Sequence, residues 1–447
     1  LATSMFIARR VFGSWTAGTA AGWLLAVPVV TFSLYTTASL GNYGEVLLLG
    51  NLIIICSLRI AVQLRADKLA NHWLWLVFGL LAGIGFWAFG LILVYIVPAV
   101  AYIGYFFIRS APGQAARNYA VACALSLAGF LAGSMPFWIF ILREGPLAAI
   151  QELGGSAVSG VEGLGYLGQI FQHVAGFLLF GLTAALGLRP SWEVRWLAIP
   201  LLPLAVLFWA GVLTFTIRSI RLDQQRRADL VLLCGVGGTL TLGFILTPFG
   251  ADPSGRYFLP LVVIAAILAG GFIQFLAAAY SRLAWVLLAC VSVFQLWGNL
   301  DTALRNPPGI TTQFDAVTQI DHSYDQELID FLNQSGTTRG YSNYWVAYPL
   351  AFLSGEEIIF VPRLPYHPDF RYTERDDRYA PYAEIVASAD EIAYITTNHP
   401  DLDQKIRQGF SELGVDWSER RIGDYQIFYG LSEPVRPIQI GFGGTTP

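Results

Sequence analysis

Charged side chains are scarce in this 447-residue sequence, at 13% of the residues against about a quarter in an average soluble domain. Hydrophobic residues make up 55%, and the mean hydropathy is +0.54. This composition excludes an ordinary soluble globular protein and indicates an integral membrane protein. The acidic residues lie mostly beyond Leu300, so the sequence predicts an embedded region, residues 1–300, followed by a soluble region, residues 301–447.

Cysteine is also rare, with four residues in the whole chain. All of them lie inside apolar runs: Cys56, Cys123, Cys234 and Cys290. They predict neither a disulfide framework nor a zinc site. The soluble region has no glycine-rich phosphate loop, no His or Cys set at metal-ligand spacing and no nucleophile motif. We therefore expect no cofactor, with a divalent metal left open, and no nucleic-acid partner.

Long apolar runs fill the first 300 residues and predict about nine crossings of a lipid bilayer, since a spanning helix needs about 20 apolar residues. The runs are Val11–Tyr35, Glu45–Val62, Trp73–Ile108, Tyr119–Leu142, Trp196–Ile217, Leu230–Phe249, Phe258–Ala279 and Leu283–Leu300. The third run is too long for one crossing. Because Gly83, Gly85 and Gly90 interrupt it, we predict a hairpin of two short spans there.

Basic residues set the predicted orientation, because short loops rich in Arg and Lys are retained on the cytoplasmic side. They form five clusters: Arg9 and Arg10; Arg59, Arg65 and Lys68; Arg109 and Arg117; Arg218, Arg221, Arg226 and Arg227; and Arg282. Placing all five inside puts the loops around Asn42, at residues 143–195 and around Asp252 outside, together with the soluble region. This works only if the short apolar piece Val174–Leu188 does not cross, so we predict an interfacial or re-entrant helix there.

The soluble region carries shorter alternations that predict a small α/β domain. Helices are expected at Asp325–Asn333 and Leu402–Leu413, and strands at Arg339–Tyr341, Glu357–Val361, Glu391–Thr396 and Tyr425–Tyr429. The segment Arg363–Tyr382 is rich in Pro, Tyr and paired opposite charges, which indicates an irregular surface loop.

A known family shares the order of several short sequence phrases in this chain. The phrases are RRVFG, AGTAAGWLLAVPVV, NYGEVLLLGNLII, LLAGIGFWAFGLILVYIVPAV and GADPSGRYFLPL, with a long outer loop before the last. In this layout the chain resembles the C superfamily of membrane glycosyltransferases, and within it the protein mannosyltransferase and lipid A aminoarabinose transferase type. The resemblance extends over almost the whole chain and has no single diagnostic motif.

The resemblance implies a transferase in the plasma membrane that moves a sugar from a polyprenyl-phosphate-linked donor to a protein, lipid or glycan acceptor at the outer face. The family's catalytic carboxylate resembles an Asp in the first outer loop. By the predicted orientation this chain starts just before the family's third span, so the first two spans and that loop are expected to lie upstream. The catalytic residue is therefore left unknown.

Arg256, within the phrase GADPSGRYFLPL, is the main candidate for contact with the donor phosphate. A guanidinium presents forked donors that suit phosphate, and Gly255 beside it allows close backbone approach. The alternative is an interfacial anchor beside Tyr257. Asp252 is expected to cap its own turn and to orient Arg256, in preference to a metal-binding or catalytic role.

Asp252 and Tyr257 are also candidates for lining the site, together with three further residues. Glu45 lies at the outer end of its predicted span, where it either faces the sugar or favourably occupies a helix N-terminus. Glu162 and His173 lie in the long outer loop, and His173 is either a donor to a phosphate or acceptor or a solvated loop side chain.

Two other readings compete with an enzyme. A non-catalytic membrane subunit or binding protein would keep the fold without the site, and an upstream Asp in an outer loop would argue against it. A transporter is less favoured, because transporters place ionisable residues near the middle of the membrane and these predicted spans have almost none.

Overall fold

The computed structural model describes residues 1–37, 42–66, 72–109, 116–148, 165–252, 254–305, 316–367, 369–370, 372 and 376–442. The chain divides into two compact units, Leu1–Thr302 and Ala303–Pro447. The first unit is helical and apolar, and the second contains a five-stranded sheet. The protein is therefore a polytopic helical membrane protein with a C-terminal α/β domain.

Twelve described helices make up the first unit, and each predicted span corresponds to a helix or to a bent pair of helices. They are α1 Ala2–Phe12, α2 Trp15–Ala26, α3 Val30–Thr37, α4 Tyr43–Arg65, α5 His72–Ala88, α6 Leu93–Arg109, α7 Ala116–Gly133, α8 Met135–Glu144, α9 Tyr166–Ala185, α10 Leu202–Leu222, α11 Arg227–Leu246 and α12 Leu259–Arg305.

Six helices in the described residues are long and apolar enough to cross a bilayer, or up to eight if each bent pair counts as one span. The bent pairs are α2 with α3, at 73°, and α7 with α8, at 62°. Helix α12 is two helices joined at Tyr280, whose φ of −140° and ψ of 71° are not helical. The predicted hairpin breaks at Phe89 and Gly90, whereas Gly83 and Gly85 lie inside α5.

The first unit has two chemically different ends, and α4 links them. Helix α4 runs about 34 Å, from Tyr43 to Arg65, and Arg65 pairs with Asp229 at the start of α11 at 3.3 Å. Tyr102 of α6 donates to the same carboxylate at 2.6 Å. We call this the arginine end. The loop that follows α11 and contains Asp252 lies at the opposite end, which we call the loop end.

Helix α9 is longer than the predicted piece, because it begins at Tyr166 and continues through a π-helical turn at Phe177–Gly181. The prediction that it is too short to span is therefore wrong on length, since its 20 residues are enough. Its contacts nevertheless lie at the loop end: His173 bonds the Ile245 carbonyl, and Gly181 abuts Phe258. An interfacial position stays a prediction that these contacts support.

Helices α5 and α7 pack backbone against backbone through glycines spaced four residues apart. Gly79 and Gly83 of α5 face the carbonyls of Ser126 and Phe130, and a Cβ at either glycine would lie 1.9 or 2.2 Å from those oxygens. Gly129 and Gly133 of α7 make the reciprocal approach to carbonyls of α5, at 2.4 and 2.5 Å. Small residues of this kind let membrane helices approach closely.

In its described residues the α/β domain contains four helices and one sheet of order β2-β1-β3-β5-β4. Its elements are α13 Asp325–Ser335, β1 Arg339–Ser342, α14 Tyr344–Leu353, β2 Ile359–Pro362, α15 Ala380–Ala387, β3 Ala393–Thr397, α16 Pro400–Leu413, β4 Ser418–Ile422 and β5 Tyr425–Tyr429. Strands β2, β1 and β3 are parallel, and β5 and β4 continue the sheet in antiparallel fashion.

Each face of the sheet has its own apolar core. Tyr394 and Phe428 pack on one face with Phe410 of α16. On the other face Phe360 packs with α13 and with the inner side of α14, where Leu350 is buried. The predicted helices and strands are present, within a few residues at their ends. The prediction missed α14, β4 and α15, and α15 begins inside the segment predicted to be irregular.

The orientation of the first unit in the membrane is tested by labelling. We expect a cysteine at Gln224, in the turn between α10 and α11, to be cytoplasmic, and one at Ser335 to be extracytoplasmic, because basic residues crowd the first site. Impermeant thiol reagent applied to intact cells, with the four native cysteines replaced, should label position 335 alone. Labelling of position 224 under these conditions would reverse the assignment.

Candidate functional site

The loop between α11 and α12 folds into a turn held by its own aspartate. Asp252 accepts a hydrogen bond from the Ser254 backbone N–H at 2.8 Å through Oδ1, and its Oδ2 lies 2.6 Å from Arg256 Nε. Gly255 takes a φ of +74°, a left-handed conformation that costs other residues about 1 kcal/mol or more. The expected contact between Asp252 and Arg256 is therefore present.

Arg256 lies at the border between the buried turn and the surface. Its side chain is 36% exposed, whereas that of Asp252 is 6% exposed. Nη2 of Arg256 donates to the Tyr257 hydroxyl at 3.3 Å, and the Tyr257 ring packs edge-on against Phe249 at 5.5 Å. The Tyr257 contact uses one Nη2 proton and Nε lies against Asp252, so other donors of the fork remain for a ligand.

Two tyrosines from distant segments face this ion pair. Tyr35, near the end of α3, and Tyr43, at the start of α4, have ring centroids 5.4 Å apart, and both interact electrostatically with Asp252 and Arg256. The Tyr43 ring also packs edge-on against Phe89 at 5.2 Å. Both tyrosines are buried, so two phenols border the ion pair at the loop end. A phenol can donate a hydrogen bond to an oxyanion or to a sugar hydroxyl.

A close-packed polar layer supports the turn. The hydroxyls of Thr31 in α3 and Ser191 form a hydrogen bond of 2.8 Å. A Cβ added to Gly255 would lie 3.4 Å from the Ala184 side chain and 3.9 Å from Thr31. The turn is therefore fixed against α3, the end of α9 and the segment after it. This packing holds the Arg256 backbone in one position, which favours preorganised binding.

The segment that contains Ser191 is fixed by a buried arginine. Arg189 is 2% exposed, and its guanidinium donates to the backbone carbonyls of Phe180, Pro190 and Glu193 at 2.8 to 3.1 Å. Burial lowers the pKa of Arg189 to about 10, which leaves it charged at neutral pH. Arg189 is a structural residue, because its donors are directed to the chain itself.

His173 has a different position from the predicted one. It lies within helix α9, is 2% exposed, and its Nδ1 is 3.0 Å from the Ile245 carbonyl oxygen. The interpretation of a solvated loop histidine is therefore wrong. The ring also lies against Gly250, where a Cβ would be 2.3 Å from Cγ. These contacts connect α9 with the end of α11.

The remaining candidates are not brought to the ion pair by any described contact. Glu45 lies in the first turn of α4 and is exposed, a position favourable for a carboxylate at a helix N-terminus. Its neighbour Tyr43 contacts the site instead. Glu162 lies outside the described residues.

Sequence reasoning missed Tyr35, Tyr43, Thr31 and Ser191. The two tyrosines flank the predicted outer turn around Asn42, and this was the available signal, because aromatic residues at both ends of such a turn border the same membrane surface. Their pairing with a loop more than 200 residues away depends on tertiary packing.

The comparisons with known proteins bear on the fold. No family model and no curated protein matches the sequence. The chain is similar to the crystal structure of ArnT from Cupriavidus metallidurans bound to undecaprenyl phosphate, with a TM-score of 0.51 and 14% sequence identity over 96% of this chain and 81% of that chain. At this identity the likeness concerns the fold, and it agrees with the resemblance found in the sequence. This chain therefore shares the overall fold of that solved structure.

Proposed function

We propose that the protein is a membrane glycosyltransferase that takes a sugar from a polyprenyl-phosphate donor at the outer face of the plasma membrane. The observation that carries this is Arg256, a partly exposed guanidinium that is paired with Asp252 and bordered by two tyrosines at the loop end. The similarity to a structure with bound undecaprenyl phosphate supports a lipid-linked donor.

The ion pair suits a phosphate that changes charge during transfer. Breaking the bond between the sugar and the phosphate leaves additional negative charge on the phosphate oxygens, and aimed N–H donors stabilise that charge as it develops. Because Asp252 cancels the net charge of Arg256, recognition depends on directed hydrogen bonds rather than on a general positive field. Tyr35, Tyr43 and Tyr257 add hydroxyl donors beside the ion pair.

The acceptor hydroxyl needs a base, and no residue of this chain is assigned to that role. Asp252 is paired with Arg256, accepts a hydrogen bond from the Ser254 N–H and is buried, so its place is to hold the turn rather than to meet an acceptor. The proposed contribution of the described residues is to hold and orient the donor phosphate. Sugar and acceptor identities remain outside the proposal.

Transfer assays separate this function from a non-catalytic subunit. Purified protein, in its longest natural form and reconstituted in lipid, would be given a panel of polyprenyl-phosphate sugars carrying radiolabel, together with membrane lipid and glycan acceptors. We expect label to leave the donor and free polyprenyl phosphate to accumulate. Donor binding without loss of the sugar, across the panel, would favour the non-catalytic membrane subunit instead.

A further inference from the structure

Helix α14 of the α/β domain is apolar on its outward side as well as on its inward side. Its ten residues, YWVAYPLAFL, contain no charged side chain. Val346, Ala347, Leu350 and Ala351 are buried in the domain, as expected for one face of a surface helix. The other face forms a shallow apolar groove, here called the α14 face, lined by Tyr344, Trp345, Tyr348, Pro349, Phe352 and Leu353.

Other helices of the same domain have the usual polar exterior. Helices α13 and α16 expose acidic, amide and basic side chains: Gln326, Glu327, Asp330, Asn333, Asp401, Gln404, Lys405, Gln408 and Glu412. In α14, by contrast, Phe352 is 83% exposed and Leu353 is 53% exposed. Exposing contiguous side chains of this size to water is unfavourable, and such patches mark interaction sites.

The chemistry of the α14 face indicates lipid rather than a glycan. Its most exposed members are a phenylalanine and a leucine, whereas a sugar platform needs polar groups beside the aromatic ring. Tyrosine and tryptophan accompany them, and these residues are enriched where protein meets the bilayer interface. The charges beside the face are of both signs, because Glu356 and Glu357 follow the helix and Arg378 lies 4.7 Å from the Tyr344 ring, so attraction to anionic head groups is not the main driving force.

A short stretch of chain joins α12 to the described part of the α/β domain. Helix α12 ends at Arg305, and the described part of the α/β domain resumes at residue 316. The ten residues between them span at most about 35 Å when fully extended. The domain therefore cannot leave the neighbourhood of the membrane in which the first unit is embedded.

We propose that the α14 face inserts into the interfacial region of the bilayer, with Phe352 and Leu353 in contact with lipid acyl chains. The occupant is the lipid surface itself. This contact restricts the orientation of the α/β domain on the membrane surface. It is independent of the donor chemistry proposed above.

The test measures quenching in nanodiscs that contain one copy of the full chain. A bimane label would be attached at Phe352→Cys in a background without the four native cysteines, and the matched control label at Gln404→Cys on α16. Helix α16 packs on the opposite face of the sheet from α14. Both sites are exposed on the surface, so neither label disturbs a core.

We expect spin-labelled lipid to quench the label at position 352 severalfold more strongly than the label at 404, and aqueous iodide to show the reverse order. Zwitterionic and anionic lipids should give the same result, because the contact is apolar. Equal access of iodide to both positions would overturn the proposal. Protection of position 352 from both quenchers would also overturn it, since another protein surface would then cover the face. A label at Leu353→Cys repeats the measurement at a second position.

Discussion

Replacing Gly83 by alanine should loosen the contact between α5 and α7 and lower the stability of the first unit by about 1 to 3 kcal/mol, the usual cost of overpacking. The added Cβ would lie 2.2 Å from the Phe130 carbonyl oxygen and 2.9 Å from the Ser134 nitrogen. Neither atom can move without a shift of the whole helix backbone. Thermal unfolding of the protein in lipid nanodiscs would measure the loss.

Gly104 in α6 provides the matched control, because a Cβ there meets nothing within 4 Å. Alanine is the better helix former by about 1 kcal/mol, so Gly104→Ala should be neutral or stabilising. If Gly104→Ala lowered the stability more than Gly83→Ala did, the glycine pairs would not determine how α5 and α7 pack. The same clash recurs at Gly79, Gly129 and Gly133, so each of them tests the contact independently.

Replacing Arg256 by alanine should reduce transfer from the lipid-linked donor by roughly one to two decades. A hydrogen bond to a charged group contributes about 1.5 to 3 kcal/mol, and about 1.4 kcal/mol corresponds to a factor of ten. Arg256→Lys should recover only part of the activity, because an ammonium keeps the charge and loses the fork. Initial rates at several donor concentrations, normalised to folded protein, would measure both variants.

Arg65 is a close structural control for this experiment. Its side chain is 40% exposed and pairs with Asp229, which is 8% exposed. Each alanine variant therefore leaves a buried carboxylate without its cation, with a hydrogen bond from Tyr102 to Asp229 or from the Ser254 N–H to Asp252. Arg65→Ala should lower stability to a similar degree while leaving donor use per folded molecule unchanged. Equal losses of donor use in both alanine variants would indicate that Arg256 is a structural anchor.

The spans could be predicted because the bilayer imposes length and apolarity on each of them. The residues at which helices begin and end were harder to predict, because they depend on local packing. Gly83 and Gly85 look like interruptions in the sequence, yet α5 continues through them, since Gly83 accommodates α7 and Gly85 accommodates the Ile92 side chain. The break occurs at Phe89 and Gly90 instead.

The site was predictable only in its local part. Asp252, Gly255 and Arg256 lie within five residues, so turn chemistry brings them together. The tyrosines that border the ion pair come from α3 and α4, and only tertiary packing gives them a common position. His173 shows the converse error, because a residue in a long predicted loop proved to be a buried part of a helix.

Two surface elements of the α/β domain, β4 and α14, were missed because their residues do not follow the usual sequence patterns. Strand β4, Ser418–Ile422, is an edge strand with four exposed residues and three charges, so it lacks the apolar alternation typical of strands. Helix α14 is apolar on both faces, so its hydrophobic residues do not recur with the period of a helix. The lipid contact proposed above accounts for its apolar outer face.

The most direct test is a structure of the protein in lipid with undecaprenyl phosphate added. The account predicts phosphate density at the loop end, with at least one oxygen within about 3 Å of the Arg256 guanidinium, and with the polyprenyl chain leading into the bilayer. Phosphate bound at the arginine end beside Arg65, with Arg256 contacting only Asp252 and Tyr257, would contradict the account.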